Sequence, residues 1–210
     1  MVLSSRFAMT VPECSIHEWT FRSCSGPLPH ADKKIWLDAD NPDTRYITFA
    51  SARALAKRIA AGLLENGLQT GDRVMIYSGN RLIFPVLVYA IWMSGGVFTG
   101  ANPTYTAREL AYQLKNSEPK YLLAAEGIWP TASEAAKAAG LSESNMFVLD
   151  DFLPNANDET IPQHSNPQHW SKFIASKSKG DAFQWFTPTN PNETLATLNY
   201  SSGTVCLDNP

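Results

Sequence analysis

Cysteine is scarce in this chain of 210 residues. There are three, Cys14, Cys24 and Cys206, and no two form a C-x-x-C pair. A scattered, odd-numbered set builds neither a disulfide framework nor a thiolate zinc site, and it reads as free thiols in a reducing compartment. Dense Lys/Arg runs are also missing, and the formal net charge is -3, which argues against nucleic acid or an anionic membrane surface as the main partner. No apolar run approaches the length of a membrane span: Arg81 opens the greasiest segment and Gly95-Gly96 close it. The opening residues, Met1-Val-Leu-Ser-Ser-Arg6, lack the basic-then-apolar layout of a signal peptide. Asp208-Asn-Pro210 is not the Ser-Lys-Leu type of peroxisomal address, so cytoplasm is the expected location. The four histidines (His17, His30, His164, His169) have no carboxylate or cysteine at ligand-like spacing. No metal site is expected, and His164 and His169 read as solvated loop residues.

What is present suits a folded chain: 44% hydrophobic and 18% charged residues, enough length to bury a core as one large or two small domains. Residues 1–44, interrupted by Pro12, Pro27, Pro29 and Pro42, read as an N-terminal arm. Short strands are expected at Ile35–Leu37 and Arg45–Thr48, split by the turn Asp40-Asn-Pro-Asp43. A helix follows over about Ser51 to Glu65. Leu55, Ile59 and Leu63 recur at i+4, with Arg53, Lys57 and Arg58 expected to face away and Asn66-Gly67 as the left-handed stop.

From there strands and helices alternate. Arg73–Tyr77 is a short buried strand, and Leu82 to Met93 is a helix apolar nearly all round, with Pro85 in its first turn. Val97–Thr99 is the next strand. Thr106-Ala-Arg-Glu109 has capping-box spacing before a helix over Ala107–Lys115, and Lys120–Ala125 is a third strand. Thr131-Ala-Ser-Glu134 repeats the capping pattern ahead of an alanine-rich helix that ends at Gly140, and Met146–Leu149 is a fourth strand. Such alternation requires right-handed crossovers, hence an α/β fold with a mainly parallel sheet and helices on both faces. The expected organisation is 1–44 arm, 45–150 sheet subdomain, 151–193 linker-like excursion with helix only over His169–Ala175, 194–204 strand and loop, and 205–210 a divergent tail.

The last strand runs Thr194–Tyr200 into Ser201-Ser-Gly-Thr204. A strand feeding a Ser/Thr/Gly turn is one way a backbone wraps a phosphate, since consecutive N–H groups and short hydroxyls line a concavity that large side chains would close. The same residues also make ordinary surface turns. Ser78-Gly-Asn80, between a strand and a helix, reads as a structural turn, and Asp150-Asp151 as a hydrated loop. Trp36, Trp92, Phe98 and Tyr121 read as core, and Cys206 has no basic neighbour to activate it.

Taken together in order, Gly71-Asp-Arg-Val74, Ser78-Gly-Asn80, Met93-Ser-Gly-Gly-Val-Phe-Thr-Gly-Ala-Asn-Pro-Thr104, Ala107–Leu114 and Tyr200-Ser-Ser-Gly-Thr204 resemble the N-terminal part of adenylate-forming (AMP-binding) enzymes, nearest to fungal 4-coumarate–CoA ligase-like acyl-CoA ligases. The resemblance runs from about Ser15 to Thr204. It implies an incomplete copy of that family's N-terminal subdomain and a two-step reaction. A carboxylic acid and ATP form an acyl-adenylate and pyrophosphate, and coenzyme A then displaces AMP, with Mg²⁺, a cationic side chain and loop N–H groups stabilising the transferring phosphoryl group. Ser201, Ser202, Gly203 and Thr204 match the family's phosphate loop. Val205 and Cys206 stand where it continues Thr-Gly, and its Pro-Lys-Gly portion is not found in the sequence.

The expectation is therefore a ligase fragment, truncated by an early stop, a retained intron or a mistaken gene model, that binds no nucleotide productively and has no catalytic residue of its own. Two alternatives stand beside it. One is a non-catalytic interaction module, associating with a full-length ligase or a complementing fragment through an exposed sheet face. The other is weak ATP binding without turnover.

Overall fold

In a computed structural model of the chain, residues 12–159 and 168–201 are described. The first helix, α1 (Ile16–Phe21), is short and capped by the Ser15 side chain, which accepts from the Glu18 amide. The periodicity gave no sign of it. The two expected short strands, β1 (Lys34–Leu37) and β2 (Tyr46–Thr48), pair with each other in a separate antiparallel sheet. Thr48 then caps α2 (Phe49–Glu65) in a reciprocal box with Ser51, so that helix starts two residues ahead of Ser51. Gly67, at φ +92°, carries the chain out of it.

The main sheet has five parallel strands: β3 (Arg73–Tyr77), β4 (Val97–Ala101), β5 (Tyr121–Ala125), β6 (Met146–Leu149) and β7 (Thr197–Leu198), in the order β6-β5-β3-β4-β7. Between them run α3 (Phe84–Met93), α4 (Ala107–Ser117) and α5 (Trp129–Ala139). Period-two alternation divides the buried side chains between two cores. Val74, Ile76, Leu123 and Phe147 pack with α2 and α3 on one face, while Met75, Tyr77, Leu122 and Met146 pack with α4 and α5 on the other. The expected architecture, a parallel sheet with helices on both faces, is the one found.

Three local expectations are corrected. The α5 helix begins at Trp129 with Pro130 in its first turn, so Thr131 lies inside it and caps nothing; the 3-10 turn Glu126–Ile128 leads in instead. On α2, Lys57 and Arg58 do not face away but are buried. The Lys57 ammonium donates to the Cys24 and Asp181 carbonyls, and Arg58 donates to the carbonyls of Ala175, Ala156 and Asp158 at 2.8, 3.3 and 2.7 Å. The cause lies in the stretch read as a linker-like excursion. Its described residues include a 3-10 turn at Trp170–Phe173, in place of the longer helix expected there, and a further helix, α6 (Lys177–Ala182). Both lie on α2, and Trp170 and Phe173 are fully buried in its core. Gly62 permits the closest approach, because a Cβ there would sit 1.9 Å from the Phe173 carbonyl oxygen.

Candidate functional site

Parallel strands deliver their following loops to one end of the sheet, and ligand sites in such folds gather there. The loops after β3 and β4 part company, one leading to α3 on one face and the other to α4 on the opposite face, which opens a crevice between them. β7 lies on the far side of β4 from the β3–β4 divergence. It pairs with β4 through Phe98↔Thr197 and Thr99↔Leu198, and the Phe98 amide donates to the Ala196 carbonyl at 2.9 Å. The buried Thr99 hydroxyl adds a donation to the Leu198 carbonyl at 3.0 Å, and Gln113 on α4 donates to both Thr99 Oγ1 and the Gly100 carbonyl. Tyr200, next along, donates from its hydroxyl to Asn116 Oδ1 on α4, and burial pushes its pKa up despite a hydrogen bond with Ser117 that acts the other way.

Among the phosphate-loop candidates, Ser201 therefore emerges exposed beyond the carboxyl end of β7. Ser202, Gly203 and Thr204, with Val205 and Cys206, lie outside the described residues, so the structure does not test whether the four candidates come together. Sequence reading missed Thr99, Gln113 and Asn116, which anchor the strand and its exit. No local pattern marked them, since the burial that obliges the Thr99 hydroxyl to find an acceptor is set by the fold.

Other residues at this end of the sheet are bound to one another. Ser78 Oγ donates to the Gly79 carbonyl at 2.9 Å and accepts from Arg81 Nε at 3.2 Å, and Arg81 pairs with Asp151 at 2.6 Å. Ser78-Gly-Asn80 is thus tied within its own turn. Asp150 and His169 depart from the hydrated-loop reading. His169 is buried, its Nε2 lies 3.0 Å from Asp150 Oδ1, and its Nδ1 accepts from the Ser171 amide. Burial alone would raise the Asp150 pKa. The Phe152 amide, His169 and the Trp170 indole N–H outweigh it and hold the carboxyl below its ordinary value. His164 lies outside the described residues. Among the described residues no group of three His, Cys, Asp or Glu side chains could hold a metal ion, and no helix is long and apolar enough to cross a membrane.

A five-stranded parallel sheet with helices on both faces defines the scaffold as an α/β one. The family model of AMP-binding enzymes matches residues 29–206, and the chain belongs to that family. Among characterised relatives, the phenylacetyl-CoA ligase epaB of Aspergillus niger is 26% identical over the whole chain, which spans 37% of that enzyme. The nicotinic acid-CoA ligase olcI of Penicillium canescens is 30% identical over 87% of this chain and 36% of its own length. Among solved structures, a long-chain-fatty-acid-CoA ligase (FadD1) from Archaeoglobus fulgidus superposes with TM-score 0.73 at 19% identity, covering 94% of this chain and 36% of that one. A luciferase-like enzyme from Zophobas morio gives TM-score 0.69 at 20% identity, covering 87% and 39%. The chain thus spans little more than a third of the length of these proteins.

Proposed function

We propose that this chain is the N-terminal portion of an ATP-dependent acid–thiol ligase of the 4-coumarate–CoA ligase-like kind, and that the 210 residues alone do not turn over. The observation that carries the reading is the strand-to-loop exit. β7 lies in register on β4, and the residues that follow it at the carboxyl end of the sheet spell Tyr200-Ser-Ser-Gly-Thr204. In this reading Ser201, Ser202, Gly203 and Thr204 offer hydroxyls and N–H groups to nucleotide phosphate. ATP, bound with Mg²⁺, supplies the leaving group that activates a carboxylic acid toward coenzyme A. Val205 and Cys206 are poor substitutes in such a loop. A β-branched residue resists left-handed backbone, and cysteine cannot replace a glycine that needs it. The family's loop lysine is also absent from positions 205–210.

Carboxylate-dependent ATP–pyrophosphate exchange tests this reading. It should be run on the 210-residue chain and on a chimera continued past Thr204 with Thr-Gly-x-Pro-Lys-Gly and the downstream part of epaB. The chain alone should be silent, and the chimera should exchange with phenylacetate, the acid named for the enzyme that supplies its downstream part. Exchange by the chain alone refutes the inactivity, and a chimera that is folded by circular dichroism yet silent with phenylacetate refutes the ligase assignment. A second reading, a non-catalytic module that binds a complementing fragment, is favoured by β7 standing at the sheet edge with Leu195 exposed beside it. A clean monomer on size exclusion, unmoved by added full-length relative, would dispose of it.

A further inference from the structure

The ligase reading makes no use of the turn by which the N-terminal arm crosses α2. Between α1 and β1 the chain runs through Ser23-Cys-Ser-Gly26, and two cationic side chains one helical turn apart on α2 hold that turn by its carbonyls. Arg53 Nη1 donates to the Ser23 and Gly26 carbonyls at 3.0 and 2.9 Å, and the Lys57 ammonium donates to the Cys24 carbonyl at 3.1 Å. Ser25 lies between these anchored carbonyls and is exposed, so the Arg53 guanidinium is kept beside it.

Charge is out of balance at this turn. Lys57 is buried and Arg53 half-buried, yet neither forms an ion pair with a carboxylate among the described residues. Asp181 meets Lys57 through its backbone carbonyl at 3.2 Å, while its carboxylate is held by Lys177 at 2.5 Å. Asp32, the other acid on the same cleft, is exposed and pairs with neither cation. Arg53 spends only Nη1 on the turn. Its Nε and Nη2 have no partner among the described residues and reach solvent. Partial burial pulls the Arg53 pKa down, as expected of a cation whose countercharge is unmet.

An independent signal lies in the sequence. Arg22 stands three residues ahead in Arg22-Ser-Cys-Ser25, and it is exposed too. An arginine at that offset is the charge pattern that a basophilic serine kinase reads in its acidic substrate groove. We propose that Ser25 is a phosphorylation site and that Arg53 and Lys57 form the receptor for its phosphate. The γ-phosphoryl group of ATP passes to Ser25 Oγ: its bond to the ADP oxygen breaks, the serine ester forms, and the hydroxyl proton leaves on the kinase's base. The product brings a charge of about −1.5 to −2 to the two cations, with its oxygens accepting from Arg53 Nε and Nη2. Pairing of this kind braces the arm on α2, and it does not rest on the ligase reading.

The test begins with the 210-residue chain, ATP and the catalytic subunit of cAMP-dependent protein kinase, which requires arginine ahead of its serine. Mass spectrometry should place phosphate at Ser25 and find that peptide unmodified in Ser25→Ala. No phosphate at Ser25 overturns the proposal. ³¹P NMR titration then compares the phosphorylated chain with a phosphopeptide of residues 19–30 at the same ionic strength. Arg22 is present in both, so the difference reports Arg53 and Lys57. The second phosphate pKa, about 6 when unpaired, should be roughly one unit lower in the chain, a tenfold loss of proton affinity. Equal values in chain and peptide overturn the proposal without recourse to any variant. Arg53→Gln should move the value back toward that of the peptide, and a variant that keeps the full shift overturns the part given to Arg53.

Discussion

Replacing Gly62 with alanine sets two physical effects against each other. On helix propensity alone the change should help, because alanine is favoured over glycine in a helix interior by about 1 kcal/mol. The packing predicts the reverse. The new methyl would stand 1.9 Å from the Phe173 carbonyl oxygen and 2.5 Å from its carbon, both backbone atoms that no rotamer change can move. Reaching an ordinary contact of about 3.4 Å means displacing the 3-10 turn at Trp170–Phe173 from α2 by roughly 1.5 Å. Phe173 and Trp170 are both fully buried there, and overpacking of a dense core costs about 1–3 kcal/mol. A separation of this size belongs at the upper end, and it also stretches the Arg58 bond to Ala175, two residues past the turn. Subtracting the propensity gain leaves a net loss of about 2 kcal/mol. Urea unfolding followed by tryptophan fluorescence measures it, with the midpoint expected to fall at unchanged slope. An alanine variant as stable as the parent, or more so, would refute the claim that this contact is close-packed.

Two further outcomes follow from particular side chains. Thr106→Ala removes the side-chain half of the α4 capping box, in which the hydroxyl accepts from the Glu109 amide and donates to its carboxylate, and leaves the backbone N–H of residue 106 donating to Glu109; it should cost about 1 kcal/mol in the same urea assay. Because burial lowers the His17 pKa, the unfolded chain binds that proton more readily than the folded one. Stability should therefore fall as pH drops below the ordinary histidine value of about 6.5, levelling off below the lowered folded value. His17→Phe should flatten that part of the pH–stability profile, and a variant with the parent's slope would show that His17 is not the group responsible.

The elements legible in the sequence were those whose pattern is local. The i+4 leucines of α2, the all-apolar α3, the reciprocal Thr106–Glu109 spacing and the four buried strands up to Met146–Leu149 each carry their own period, and from their alternation the sheet follows. What escaped depends on chain far away in sequence. Lys57 and Arg58 occupy positions any helical projection assigns to solvent, until Ala175, Asp158 and Asp181 supply carbonyls to them. His169 looks like a loop histidine unless Asp150 is known to face it. Helices of six residues such as α1 and α6 are too short to show a period. Of the candidate site, the loop's chemistry was legible in Ser201–Thr204, whereas the anchoring of its strand by Thr99 and Gln113 was not, because neither residue type announces a partner some 100 or 14 positions away.

The position of β7 also bears on the order of assembly. It pairs with β4 across 99 residues, while β3 to β6 are joined by short crossovers and can zip together from neighbouring segments. During synthesis those four strands leave the ribosome long before Thr197 does, so the nascent sheet waits with an open flank along β4 until its last member arrives. β7 is thus added to a platform already built, and a cell's chaperones would meet that platform with the flank still bare.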